Sequence, residues 1–84
     1  MKLILSKSVI KELENLPHRE IEKVYNHFKK LLSGASNLDI KKLRDSENHR
    51  LRIGNYRTIF SINQKQKTIE ILDLLHRKDI YKKK

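Results

Sequence analysis

An α+β fold is predicted for this chain: an N-terminal strand and a helical hairpin packed on one face of a small, mainly antiparallel sheet. Three observations carry the prediction. Apolar residues recur at helical spacing between positions 9 and 32. Beyond Gly34 the spacing changes to the period of two that a strand requires. A Gly54-Asn55 pair then separates two alternating runs, which is the signature of a tight hairpin.

Residues 2–5 are short and apolar enough for a first strand. Ser6 or Ser8 can cap the helix that follows, whose stripe is Val9, Leu13 and Leu16. Pro17 interrupts that helix and suits the first turn of the next. Ile21, Val24, Tyr25, Phe28, Leu31 and Leu32 then fall on one face of a strongly amphipathic helix. Gly34 stops it, with Lys29 and Lys30 at the negative end of the helix dipole. Residues 39–43 read as a short strand, and 49–53 and 56–62 as the two arms of the hairpin. Residues 63–67 form a polar loop. The nearly continuous apolar run 68–75 has the composition of a strand inside the sheet.

Eighty-four residues make one domain, spanning 1–84. No apolar run reaches the ~18 residues of a membrane span, and the start, MKLILSKSVIKEL, does not read as a secretory signal. A cytoplasmic protein is expected. With no cysteine, a disulfide framework, a thiolate zinc site and a cysteine nucleophile are excluded together. The histidines at 18, 27, 49 and 76 have no ligand spacing and no carboxylates cluster, so neither a metal nor another cofactor is expected. Lys and Arg outnumber Asp and Glu by 20 to 10. The excess is uneven: residues 1–40 carry seven basic and five acidic side chains, residues 41–84 thirteen and five. Such a charge asks for a polyanionic partner: nucleic acid, an anionic membrane surface or an acidic protein. Lys82, Lys83 and Lys84 read as a solvated tail.

A two-residue turn at Gly54-Asn55 sets Ile53 against Tyr56, Arg52 against Arg57, Leu51 against Thr58 and Arg50 against Ile59. Alternation then places Leu51, Ile53, Tyr56, Thr58, Phe60 and Ile62 under the helices, and Arg50, Arg52 and Arg57 together on the other face. Like charges directly opposed in a sheet are unfavourable. Either acids such as Glu70 or Asp73 relieve these arginines, or the face is a phosphate-binding surface, where the same repulsion becomes attraction for an anion. At the chain's other end, His76, Arg77, Lys78 and Tyr81 gather an imidazole, two cations and a phenol just after the last strand. By alternation His49 shares the Leu51 face and reads as structural.

In the stretches KKLRDSENHRLRIGNYRTIFSI and LLHRKDIY the sequence resembles the RelE/ParE superfamily of toxins from toxin–antitoxin pairs, over essentially its whole length. RelE-like members are messenger-RNA interferases that cut the codon in the ribosomal A site; ParE-like members inhibit DNA gyrase without being nucleases. The resemblance implies that Arg57 stabilises the scissile phosphate, that Arg50 and Arg52 occupy basic positions of the hairpin, that Arg77 is a second phosphate-contacting arginine, and that Tyr81 is a C-terminal catalytic tyrosine. Two positions depart from the RelE pattern: Asn48 stands where a lysine is usual, and Leu75 where a glycine precedes the His-Arg pair. Retention of the arginines and Tyr81 favours the nuclease; the alternatives are a gyrase inhibitor, or an inactive module that pairs only with antitoxin and DNA.

Cutting RNA without a metal takes a base for the 2′-OH, cations for the charge on phosphorus and an acid for the 5′-oxygen. Arginine supplies only the charge. Tyr81 is then expected as base or stacking platform and His76 as the alternative acid or base, with Arg50, Arg52 and Lys78 binding RNA phosphates. The resemblance further implies a RelB-like antitoxin, acidic or wrapping the domain with amphipathic helices, with the ribosome and mRNA as targets. Operator DNA is expected only through the toxin–antitoxin complex.

Overall fold

In the computed structural model, which describes residues 1–44 and 46–76, the elements follow one another as β1 (Lys2–Leu5), α1 (Lys7–Glu14), α2 (His18–Leu32), β2 (Asp39–Lys42), β3 (His49–Ile53), β4 (Tyr56–Asn63) and β5 (Thr68–His76). The five strands form one sheet in the order β1-β5-β4-β3-β2. Among the described strands only the β1–β5 pair is parallel. The fold is therefore α+β, as the change of period predicts.

Each helix is fixed by local chemistry. Ser6 is the cap of α1, its hydroxyl accepting the Val9 N–H at 3.3 Å. The same hydroxyl donates to the Leu72 carbonyl at 2.9 Å, and Ser8 donates to that carbonyl at 3.2 Å. Leu72 is the residue skipped in the β4–β5 register, where Ile59 faces Asp73 and Phe60 faces Ile71. A bulge leaves such a residue outside the ladder, and here its carbonyl pins the start of α1 to β5. Pro17 stands just ahead of α2 rather than inside its first turn, its carbonyl accepting the N–H groups of Glu20 and Ile21 at 2.9 and 3.1 Å. The helix begins before the first apolar position, Ile21, because its opening turn is polar. At the other end Gly34 takes φ 74°, its N–H bonds Leu31 O, and the Ala35 N–H bonds Lys30 O. These two bonds are a Schellman closure, and they satisfy carbonyls the helix end leaves free.

The helices cover one face of the sheet. Val9, Leu13, Val24, Phe28 and Leu31 descend from them onto Leu51, Ile53, Tyr56, Phe60, Ile69, Ile71 and Leu74. Phe28, Leu51, Ile53 and Ile71 are wholly buried. Thr58, fully buried as well, donates its hydroxyl to the Asp73 carbonyl at 2.7 Å, which satisfies a polar group inside an apolar layer. Five of the six hairpin residues predicted for this face are buried; Ile62, near the end of β4, stays 38% exposed.

The hairpin itself has the predicted register, with Ile53↔Tyr56, Arg52↔Arg57, Leu51↔Thr58 and Arg50↔Ile59. Gly54 has φ 56° while Asn55 is not left-handed, the pattern of a type II′ turn. A β-carbon at Gly54 would lie 2.6 Å from Lys23 Nζ, the far end of a flexible side chain that can move aside. The backbone conformation is the stricter demand. Gly54→Ala should therefore cost about 1–2 kcal/mol, the strain of a non-glycine residue in the left-handed region, in urea denaturation, and replacing Lys23 by Ala as well should not restore it. Unchanged stability would contradict this turn geometry.

A cationic face on the open side of the sheet

Residues paired across a sheet share a face. Two rows cross the uncovered side: Asp39, Arg52, Arg57 and Leu75 in one, Lys41, Arg50, Ile59 and Asp73 in the next. Three strands thus bring Lys41, Arg50, Arg52 and Arg57 to one surface. Beside them lies an open depression of about 430 Å³ lined by Lys41, Lys42, Leu43, Arg44, Arg50 and Arg57. Five of its six lining residues are cations, and no carboxylate is among them. Cations held together in this way repel one another and attract an anion. Arginine adds a planar fork of donors that matches a phosphate.

Arg50 and Arg57 are half-buried in that surface, while Lys41 and Arg52 are exposed. The Arg50 side chain is 23% exposed, and its Nη2 lies 3.4 Å from Asp39 Oδ1. Its Nε is buried with no hydrogen-bond partner among the described residues. The acid that relieves it is Asp39, neither Glu70 nor Asp73. Ile59 stands between Arg50 and Asp73 in their row, which sets them roughly 10 Å apart at the usual strand spacing. Glu70 lies opposite Ser61, farther along β5.

The remaining predicted site residues divide. Arg50 and Arg57 line the depression. Arg52 shares their face but stands outside it, exposed between Asp39 and Arg57. His76 is not with them. It pairs with Tyr56 across β4–β5, and their rings meet edge to face with centroids 5.1 Å apart. Since Tyr56 is buried under the helices, His76 is on the covered side of the sheet. Burial first, and then the negative charges of Glu20 and Glu12, push the Tyr56 phenol above its ordinary pKa of 10, so this tyrosine stays protonated at neutral pH. His49 stacks on Phe60 at 5.3 Å on the same covered side, the structural place predicted for it. Arg77, Lys78 and Tyr81 lie outside the described residues. Lys41, Lys42 and Arg44 were not singled out from the sequence. The signal available for them is the Lys-Lys-Leu-Arg run on the strand that pairs with β3.

Chemically, the described part of the site can bind a phosphate and stabilise added negative charge on it. Its arginines are always protonated and supply charge without acting as a base. Among the described residues no three His, Asp or Glu side chains come together to hold a metal ion.

A family profile described as the ParE toxin of a type II toxin-antitoxin system, parDE, matches residues 3–81. The chain belongs to this RelE/ParE superfamily of type II toxins. In structure it is similar to RelE in the archaeal RelE–RelB complex from Pyrococcus horikoshii OT3, with 31% identity and a TM-score of 0.75, covering 90% of this chain and 93% of that one. The match to the RelB–RelE antitoxin–toxin complex from Methanococcus jannaschii has 30% identity and a TM-score of 0.71, covering 94% and 95% of the two chains. The isolated E. coli RelE toxin shares the fold at 15% identity, with a TM-score of 0.76 over 96% of this chain and 90% of that one. No curated protein matches the sequence significantly.

The opposed arginines give a test of the face's cost. Arg57 stands between Arg52 and Leu75, so Arg57→Thr removes only a repulsion and should raise stability by about 0.2–1 kcal/mol. Arg52→Thr loses the facing Asp39 together with the facing Arg57 and should leave stability nearly unchanged. Equal effects of the two changes in thermal denaturation would show that the pairing does not set the balance.

Proposed function

We propose that this toxin is a ribosome-dependent endoribonuclease that cuts messenger RNA in the A site and so inhibits translation. The observation that carries the reading is the cation-lined depression, in which Arg50 and Arg57 from adjacent strands stand beside Lys41, Lys42 and Arg44. In this reading Arg57 takes the scissile phosphate and neutralises the charge that builds on phosphorus as the 2′-oxygen attacks. Arg50 holds the same phosphate or its neighbour; Arg52, Arg77 and Lys78 extend the contact along the RNA backbone. Proton transfer falls to Tyr81 rather than His76, because His76 rests against Tyr56 on the other side of the sheet. The ribosome orients the codon, which accounts for an open depression serving in place of a deep pocket.

The partner that silences the toxin is a RelB-like antitoxin, by analogy with the archaeal complexes, and operator DNA is met through that complex. The working place is the cytoplasm. The match to the ParE profile supports a second reading, inhibition of DNA gyrase without catalysis.

Primer extension on a programmed ribosome separates the two. The wild-type chain should cut within the A-site codon and leave gyrase supercoiling untouched. Arg57→Ala should fold and fail to cut. Tyr81→Phe should slow single-turnover cleavage by about 10²–10⁴-fold if the hydroxyl moves the proton. Absence of any ribosomal cut together with blocked supercoiling would replace the nuclease by the gyrase inhibitor.

A further inference from the structure

The cationic face carries its own anion. Asp39 stands directly opposite Arg52 and diagonal to Arg50, whose cross-strand partner is Lys41. Its carboxylate meets Arg50 Nη2 at 3.4 Å and is itself 56% exposed, so it is anchored weakly and in contact with water. Asp39 is not among the residues lining the depression, whereas Arg50 is. Arg50 thus both meets an internal carboxylate and lines the depression. A single long contact to a carboxylate open to water is a weak interaction, one that a phosphate gripped by several cations can replace.

We propose that Asp39 is an internal competitor for Arg50: in the free domain its carboxylate engages the guanidinium, and a ligand phosphate must displace it. This rests on the phosphate-binding reading of the face and adds its regulation. The consequence is a threshold. An isolated anion that meets Arg50 alone gains little, because it exchanges one carboxylate for another negative group. An RNA backbone that also meets Arg57, Lys41, Lys42 and Arg44 makes the exchange favourable. Asp39 thereby lowers non-specific anion binding by a surface with a formal charge of +10 behind it.

The test is a binding cycle read by fluorescence anisotropy with a labelled single-stranded RNA dodecamer, which does not depend on cleavage. Asp39→Asn should tighten binding about two- to fivefold, the range an exposed ion pair can shift. It should also steepen the fall of log affinity with log salt by about 0.7, one further phosphate neutralised on a single strand. In an Arg50→Ala background Asp39→Asn should have no effect, since its target is gone. Glu70→Gln removes the same charge from the same face of the sheet, two strands away from β3, and should change affinity less than Asp39→Asn does. Equal tightening with and without Arg50 would reduce Asp39 to a contribution to the general field. Weaker binding by Asp39→Asn would make it a support for Arg50 and overturn the competition. Tightening by Asp39→Asn that depends on Arg50, without ribosomal cleavage by the wild-type chain, would leave this proposal standing and remove the nuclease. No RNA binding by any of them would overturn the competition, while the ribosome-dependent reading stands or falls with primer extension.

Discussion

The register of the β3–β4 hairpin is the constraint on which the rest depends. In a strand every second side chain faces the same way, so a slip of one residue sends a whole set to the opposite face. The two-residue turn at Gly54-Asn55, with its left-handed glycine, fixes Ile53 against Tyr56. From that one pairing follow Leu51, Thr58 and Phe60 under the helices, and Arg50, Arg52 and Arg57 on the open side. Core and site are therefore not independent. The apolar burial that holds the hairpin in register also holds Arg52 and Arg57 opposite each other, against their mutual repulsion.

A second constraint comes from the layers. Both helices lie on one face, held there by Ser6 and Ser8 on the Leu72 carbonyl and by Phe28 in the middle of the core. The other face is left to polar chemistry, and β2 completes it. By pairing with β3, β2 sets Lys41 beside Arg50 and Asp39 beside Arg52, so a strand whose residues are all exposed supplies both cations and the opposing carboxylate. A thin edge strand that adds little to the core thus determines much of the electrostatics of the face.

Much of this was legible from residue order. The Gly34 stop, the hairpin pairing and a serine cap follow from local rules, and the structure agrees, with Ser6 rather than Ser8 as the cap. The stripes hold at Val9, Leu13, Val24, Phe28 and Leu31, whereas Leu16 falls beyond α1 and Tyr25 stays 39% exposed. The surface side of the arginines was legible for the same reason. What was not legible depends on distant pairing. Nothing local ties Asp39 to Arg50, or brings Lys42 and Arg44 to the depression, until β2 is docked. The side taken by His76 is a further case. Simple alternation from Ile69 and Ile71 would turn position 76 away from the helices, but the bulge at Leu72 shifts the parity, so that Leu74 and His76 face them. That bulge is stabilised by two serines far away in sequence, and no pattern within β5 announces it.

The central claim is that the open, cationic side of the sheet is where this toxin meets an RNA phosphate. Its most direct test is a two-dimensional amide NMR titration of the free domain with a short single-stranded RNA. The account predicts shifts concentrated at residues 41–44, around Arg50 and around Arg57, with the amides of α1 and α2 left in place. Shifts centred on the helices, or spread evenly over every basic residue of the chain, would contradict it.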